Sequence, residues 1–515
     1  MYEDWLQWLN REYPDIPNSG IERLERSLDR TQKGMETDLR TPFYGKETPR
    51  EKIISELRNS VPYTEFPDMT QIDKQEEEKI GPLSIMLPYH DRRGDVERYW
   101  HQSFDASEEA LSEAASSVKN LISERSLRVA SFITALDMMP KDTSLGLPYL
   151  GRDRVYVPSY FKRAQHIVSA HDIYPCILYW RGQSAGLHIP PKQRVVWGFD
   201  HAETILGATI LYPVLNTLKH RAGFSSWLSD VDVDEAATRL LSVARGRNII
   251  SMDYSGFDSS LSKELLDVVD QVISYWFSEP GPARIRLLGD ISNGIPLVVP
   301  YEVLSGRNGA MPSGSVLTNL RDTIANLIAG YYIGIRLSSP LIDFEVLGDD
   351  SVFIFRNDMD SEQLSEVVRE LGLESNPSKQ FVSTDALHFL QRWHSSRYAV
   401  DGINVGIRSP YRALSGMLGY ERLRQGWNKY MDTARWIMQA ENVRNHPYFS
   451  LFVRFLREGD RVLSSGMDPV SVFKLAGGAD VIRSVLNIAS FPFNVQNPER
   501  VDIFETTRIL RSLSD

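Results

Sequence analysis

The stretch Leu341-Ile-Asp-Phe-Glu-Val-Leu-Gly-Asp-Asp-Ser-Val-Phe-Ile-Phe355 decides how the rest of the 515-residue chain is read. Phe344, Val346, Val352, Phe353, Ile354 and Phe355 favour a pleated, buried surface, and Gly348-Asp349-Asp350 interrupts the apolar run where a tight turn belongs. The pattern predicts a β-hairpin with two acids at its tip. Adjacent carboxylates repel each other and lose hydration near a core, so holding them together calls for cations, which phosphoryl chemistry also uses. A solvated turn has the same composition, since Asp and Gly are ordinary turn residues. The choice between these readings rests on the sequence around the hairpin.

Upstream, Gly309-Ala-Met-Pro-Ser-Gly-Ser-Val-Leu-Thr-Asn319 is a small-residue loop running into a long helix whose Leu320, Ile324, Leu327, Ile328 and Tyr331 fall at core-facing spacing. A flexible loop on a helix N-terminus offers amides and hydroxyls to phosphate or ribose. Further back, Asn248-Ile-Ile-Ser-Met-Asp253 predicts a strand that delivers Asp253 at its C-terminal end, where sites on α/β sheets lie. Asp258 falls in the turn or at the start of a helix predicted from about Leu261 to Phe277, where it either caps free amides or reaches a ligand. The segment Trp180–Gly198 carries Arg181, Lys192 and Arg194, and the last two, two residues apart on a strand, share a side. Such cations suit a triphosphate, Arg as a bidentate fork and Lys as a point charge, although a basic strand edge is also an ordinary device against aggregation. Thr143-Ser-Leu-Gly-Leu-Pro148 is a compact loop whose amides can approach a phosphate backbone, or a plain connection between helices.

Towards the ends, residues 1 to about 60 are broken by Pro14, Pro17, Pro42 and Pro49, with Ile21, Leu24 and Leu28 on one helical face. They predict either an extension strapped over a larger body or a plain N-terminal helical region. Residues 104–139 read as helix throughout, starting at a capping Ser107, and Gln75-Glu-Glu-Glu-Lys79 reads as a solvated face. Downstream of the hairpin, Ser361–Leu371 reads as helix, Lys379 follows an Asn376-Pro turn, Phe389–Trp393 reads as strand, and from about residue 400 the pattern is mostly helical.

Hydrophobic content of 42% and charged content of 24% are those of an ordinary globular protein, long enough for two to four subdomains. The single cysteine, Cys176, excludes an internal disulfide framework and a Cys-rich zinc module and suits a reducing compartment. Met1-Tyr-Glu-Asp-Trp-Leu lacks the basic and apolar segments of a signal peptide, and the apolar runs 205–215 and 327–337 are shorter than the ~20 residues that span a bilayer. A net charge of −11 argues against a protein that coats nucleic acid. Its distribution is uneven, however: residues 1–100 hold 15 Lys+Arg against 21 Asp+Glu, and residues 151–200 hold 7 against 3, which predicts a basic lining inside an acidic shell.

Taken in order, the basic strand, Asp253 with Asp258, Pro312-Ser-Gly-Ser-Val-Leu-Thr-Asn319 and Gly348-Asp349-Asp350 resemble the fingers and palm of viral RNA-dependent RNA polymerases. With Lys192-Gln-Arg-Val-Val-Trp-Gly198 and the size of the chain, they look most like those of small double-stranded-RNA viruses of the picobirnavirus and partitivirus type. The matching motifs run from about Thr143 to Trp393. The resemblance implies a mixed α+β, right-hand fold with its palm on a small antiparallel sheet. Its parts would be an extension bridging fingers and thumb at 1–60, fingers at 61–205 and 265–310, palm at 206–264 and 311–399, and thumb with C-terminal region at 400–515.

The function implied is template-directed RNA synthesis that replicates and transcribes a viral double-stranded RNA genome. Asp253 and Asp349 would hold two Mg²⁺ ions ~4 Å apart, with Mn²⁺ as a substitute and Asp350 as a neighbouring acid with a lesser share. Lys379 resembles the lysine proposed to protonate the leaving pyrophosphate. Arg181, Lys192 and Arg194 would take the incoming triphosphate, and Asp258, Ser313, Thr318 and Asn319 would surround the ribose, where a missing 2′-hydroxyl leaves buried groups unpaired. Phe389-Leu-Gln-Arg392 resembles the family's primer-grip hairpin, which often has Gly where Gln391 stands. Partners implied are the RNA template and product, nucleoside triphosphates and a viral capsid protein, for a monomer without membrane contact in the virion interior and host cytoplasm. A Leu-Gly-Asp-Asp turn and polar company for Asp258 argue against a DNA-synthesising relative, and the three acids argue against a catalytically silent RNA-binding protein of the same shape.

Overall fold

In the computed structural model, which describes residues 4–140, 143–423, 426–486 and 497–513, short apolar runs become β1 (Cys176–Gln183), β2 (Lys192–Gly198), β3 (Ile249–Met252), β4 (Leu297–Val299), β5 (Glu302–Leu304), β6 (Leu341–Leu347), β7 (Asp350–Phe355), β8 (Phe381–Ser383), β9 (Ala386–Phe389) and β10 (Arg392–Ser395). They form two four-stranded sheets, β2-β1-β4-β5 and β6-β7-β3-β8, and a separate β9-β10 hairpin. The second sheet is antiparallel throughout. In the first, β1 pairs antiparallel with β2 and parallel with β4, so the chain after the first acid returns to the sheet that carries the basic strand.

Helices cover both sheets because their apolar stripes have nowhere else to go. The helix Thr318–Arg336 buries Leu320, Ile324, Leu327 and Ile328 in one core with Phe353 and Phe355 of β7, with the helix Lys263–Trp276 and with the helix His201–Leu218. A second core is built from the helices after residue 410, and Phe43, Ile53, Ile54 and Leu57 from the N-terminal segment belong to it. The earlier Leu9, Ile16, Leu24 and Leu28 instead pack on Leu147, Leu150, Ile177 and Val298 around the first sheet. The first sixty residues therefore contribute to two different apolar clusters.

Several expectations fail locally. Residues 104–139 do not form one helix: Ser107 caps Glu108–Lys119, accepting from the Ala110 amide at 3.3 Å, and a second helix spans Phe132–Met138. Between them Arg125 takes φ +52°, and Leu127 pairs with the end of the helix Lys263–Trp276 through Leu127 N to Trp276 O (2.9 Å) and Ser278 N to Leu127 O (3.0 Å). Tertiary pairing overrides the local helical pattern there. The run Gln75–Lys79 is a solvated face only in part: Gln75, Glu78 and Lys79 are exposed, whereas Glu76 joins Arg412 (3.0 Å) and Lys79 (2.7 Å) and Glu77 accepts from the Tyr63 hydroxyl (2.7 Å). The β9-β10 hairpin turns through Leu390 and Gln391 at φ +50° and +63°, a left-handed pair that glycine adopts with least strain.

Candidate active site

β3 and β7 run antiparallel with Met252 opposite Ser351, so one further step brings Asp253 opposite Asp350 where both strands end. Leu347 pairs with Asp350, leaving Gly348 and Asp349 as a two-residue turn with Gly348 at φ +61°. The strand end and the hairpin tip meet. Asp253 and Asp349 are exposed and Asp350 is half-buried. Burial, then the charges of Asp349 and Asp253, push the Asp350 carboxyl up to about 7 against the pull of Arg194 and Arg412. Asp253 is raised as well, by burial first, with Lys379 opposing and Asp349 adding to the shift. At Asp253 and Asp350, then, burial and the neighbouring acids outweigh the pull of the nearby cations, and both carboxyls hold protons more tightly than free ones.

The tip is fixed from below by a polar stripe on an otherwise apolar helix. Thr323 Oγ accepts from the Gly348 amide at 2.8 Å and donates to the Asn319 carbonyl at 2.6 Å. Asn326 Nδ2 donates to the Gly348 carbonyl at 3.0 Å, while its Oδ1 accepts from Ser351 Oγ (3.0 Å) and the Tyr254 hydroxyl (3.3 Å). Both backbone groups of the turn glycine are thus held by Thr318–Arg336, and β3 and β7 are tied to the same amide. Thr323, Asn326 and Tyr254 were not among the sequence candidates. Their signal was a row of polar residues at 319, 322, 323 and 326, spaced three and four apart on one face of an apolar helix.

On β2, Lys192 and Arg194 are exposed while Gln193 between them and Val195 after them are buried, so the two cations share a face of the strand. Arg181 of β1 stands directly opposite Arg194 in the ladder and faces the same way. Like charges directly opposite are destabilising across a strand pair, so this arrangement is not explained by sheet stability. Burial raises Asp258 as it does Asp350 and Asp253, and Arg194 opposes the rise at Asp258 and Asp350 while Lys192 opposes it at Asp253, so both cations lie within electrostatic reach of the acids. Lys379, exposed at the end of a short 3₁₀ turn, is the foremost charge acting on Asp253.

Asp258 is the second residue of the short helix Phe257–Ser260, whose cap is Gly256, so its carboxylate is free for tertiary use. It accepts from Ser313 Oγ of the Ser-Gly-Ser loop. Its other neighbour is Asp322, 4% exposed, whose carboxyl is driven well above the ordinary range by burial and then by Asp258, a shift that favours the protonated form able to bond Asp258. Thr318 Oγ accepts weakly from the Gly314 amide at 3.4 Å, within the loop. Asn319 lies elsewhere: its Oδ1 accepts from Trp227 Nε1 at 3.0 Å, beside the hairpin tip. Of the four residues expected around a ribose, the structure joins Asp258 to Ser313, keeps Thr318 at the loop, turns Asn319 aside, and adds Asp322.

Asp253, Asp349 and Asp350 are hard oxygen donors, the chemistry that Mg²⁺ and Mn²⁺ prefer, and at Asp253 and Asp350 burial and the neighbouring acids raise the proton affinity, a cost that a bound cation would offset. Among the described residues no three acidic, His or Cys side chains form a cage that would hold an ion unaided.

Beside the basic strand lies a cavity of about 620 Å³ lined by Arg23, Arg152, Arg181 and Arg422, the aromatic Tyr179 and Trp180, and Thr143 and Ser144 of the compact loop. Among the described residues, Arg152, Arg181 and Arg422 pair with no carboxylate, and Arg23 donates to the Tyr149 and Leu150 carbonyls (2.8 Å each). The one acid in the wall, Glu421, accepts from the Gly182 amide at 3.0 Å. Two of these arginines, Arg152 and Arg181, come from the basic segment 151–200. No helix among the described residues is long and apolar enough to cross a membrane.

The family profile described as viral RNA-dependent RNA polymerase matches residues 83–443. The chain is 29% identical over 481 residues to a potential RNA-dependent RNA polymerase of a human picobirnavirus (strain Human/Thailand/Hy005102/-), covering 87% of this chain and 86% of that one. It is 26% identical over 330 residues to the RNA-directed RNA polymerase of Cryptosporidium parvum virus 1 (strain KSU-1), covering 58% and 60%. The crystal structure of the RNA-dependent RNA polymerase of a human picobirnavirus superposes with a TM-score of 0.83 at 25% identity, covering the whole of both chains.

Proposed function

The chain belongs to the viral RNA-dependent RNA polymerase family, with the mixed α+β right-hand fold, and from that premise we propose how its residues carry out RNA-templated nucleotide addition for a picobirnavirus-like double-stranded-RNA virus. The observation that carries the reading is the meeting of Asp253 with Asp349 and Asp350 at the ends of β3 and β7, within electrostatic reach of Lys192 and Arg194 on β2.

Asp253 and Asp349 are the ligands for two divalent ions, with Asp350 beside them. Such ions, when bound, activate the attacking hydroxyl and neutralise the triphosphate and leaving pyrophosphate. Arg194 and Lys192 take the incoming triphosphate, with Arg181 adding charge behind them. Lys379, next to Asp253, is placed to give a proton to the departing pyrophosphate. Asp258, held by Ser313 and Asp322, accepts from the ribose 2′-hydroxyl. A deoxynucleotide would leave that buried acceptor unpaired, which discriminates far more strongly than a missing methylene. Thr318 supports the loop, and Asn319 acts beside the hairpin tip.

The template strand runs through the arginine-lined cavity, where guanidiniums meet phosphates and Tyr179 and Trp180 offer surfaces for bases. We assign fingers to 61–205 and 265–310, palm to 206–264 and 311–399, thumb and C-terminal region to 400–515, and the bridge between them to 1–60. The two cores and the returning strand β4 support this division. A monomer inside a virus particle, in contact with capsid protein, is the setting that follows from the family. The test is primer extension on an RNA template with Mg²⁺ and either rNTPs or dNTPs: incorporation from rNTPs is expected, and incorporation from dNTPs only would overturn the reading.

A further inference from the structure

Glu203 has no part in the site as described, yet it is buried, 2% exposed, on the first turn of the helix His201–Leu218. A Glu at the third position of a helix commonly folds back onto the amide of its own cap. Here Oε1 instead accepts from Ser315 Oγ at 2.8 Å, across 112 residues of sequence, and Oε2 is buried with no hydrogen-bond partner. Burying a carboxyl with one oxygen unpaired is destabilising, so stability favours an apolar side chain in this place.

The partner of Glu203 lies in the Ser313-Gly-Ser-Val316 loop, and each residue of that loop is gripped by a different contact. The Trp197 amide in β2 donates to the Ser313 carbonyl at 2.7 Å. A Cβ on Gly314 would lie 2.0 Å from the Trp197 carbonyl oxygen, so the loop backbone presses on the end of the basic strand. Ser315 is held by Glu203, and its Oγ also accepts from the Leu317 amide at 3.2 Å, which sets the turn into Thr318–Arg336. Val316 packs on the same helix one turn further along, where a Cβ on Gly207 would lie 2.5 Å from its Cγ1. Ser313 and Gly314 are thus fixed by β2, and Ser315 and Val316 by the helix that directly follows β2.

We propose that Glu203 is a positioning residue for ribose selection: through Ser315 it fixes the loop that presents Ser313 to Asp258, and so couples the strand that takes the triphosphate to the groups that read the sugar. The proposal rests on the reading of Asp258 and Ser313 given above. Burial pushes the Glu203 carboxyl up to about 7, so a neutral head of the same shape, as in Gln, preserves the acceptor near neutral pH.

The test is single-nucleotide incorporation with a matched rNTP and dNTP, read as the ratio of their kcat/KM values, in Glu203→Ala, Glu203→Gln, Ser315→Ala and the Glu203→Ala/Ser315→Ala pair. Loss of the tether is expected to lower the ratio about 10- to 100-fold in either Ala variant, the scale set by a misplacement of roughly 1 Å. The double variant should be no worse than the singles, and Glu203→Gln should recover most of the ratio. Ser315→Ala removes one hydroxyl and keeps the question open if Glu203→Ala fails to fold. Ser313→Ala separates the two levels. An unchanged ratio there removes the ribose reading and this proposal with it, whereas a lowered ratio there with a wild-type ratio in Ser315→Ala overturns the tether alone. Fully additive effects of the two Ala substitutions, or loss of thermal stability with the ratio intact, would also overturn it.

Discussion

The two four-stranded sheets each set like charges side by side, and they do so by opposite physical means. On β6-β7-β3-β8 the acids stand at strand ends, partly desolvated, over a turn whose amide and carbonyl are locked by Thr323 and Asn326. On β2-β1-β4-β5 the cations stand along an exposed strand face, with Arg181 opposite Arg194. Desolvation amplifies repulsion in the first sheet, and water screens it in the second. The acids are therefore held to one geometry by neutral hydrogen bonds, as ion ligands must be, while the cations supply an adaptable field for a flexible triphosphate.

The sharpest way to break the contrast is to remove one member of each group. Asp349→Ala should lower nucleotide addition by roughly 10³-fold or more without loss of thermal stability, since the exposed side chain is repelled by its neighbours. Wild-type elongation by that variant would remove the acid assignment. Arg194→Ala should act differently, raising KM for rNTP by about 10- to 100-fold, the worth of one or two charge-assisted hydrogen bonds, with a smaller change in kcat and a flatter salt dependence. A fall in kcat at constant KM would erase the distinction between the sheets. A third variant tests the neutral scaffold: Asn326→Ala should reduce kcat by about tenfold with KM nearly constant, and destabilise the fold by about 1–3 kcal/mol by leaving the Gly348 carbonyl and the Ser351 and Tyr254 hydroxyls unpaired.

The smallest effect expected is on pH dependence. Asp350 titrates near 7 in the folded protein and near 3.9 when unfolded, so the native state holds the extra proton between those values. Stability without divalent ions should then decline as pH rises from about 4 to about 7, by a few degrees in Tm, and Asp350→Asn should flatten that slope. Because an ion must displace the same proton, stabilisation by added Mg²⁺ should grow through the window in which stability without it falls. Mg²⁺ stabilisation independent of pH would exclude Asp350 from the ion site.

The acids were legible because each is announced by its own neighbours. A four-residue apolar strand ends at Asp253, and a Gly-Asp-Asp break in an apolar run can only be a turn with acids on it. The basic strand was legible from alternation, which β2 keeps residue by residue. What lay out of reach depends on which side chains meet across the chain. The family resemblance matches Asn319 to the ribose group; in the structure its Oδ1 accepts from Trp227, and Asp322, nearly one turn later on the same helix, is the neighbour of Asp258. Glu203 and Ser315 meet across two elements, and nothing local marks either. The acids of Gln75–Lys79 carry ordinary surface composition, yet Glu76 is drawn into contact with Arg412, 336 residues away.

The central claim is that the ends of β3 and of the β6-β7 hairpin jointly hold divalent ions against a triphosphate lying under β2. Anomalous diffraction from crystals of the chain with Mn²⁺, an RNA primer-template and a non-hydrolysable rNTP tests it directly. Two Mn²⁺ peaks between the Asp253 and Asp349 carboxylates, with the triphosphate against Lys192 and Arg194, are the expected result. Peaks elsewhere, or a triphosphate seated away from β2 while Asp253 and Asp349 remain bare, would contradict it.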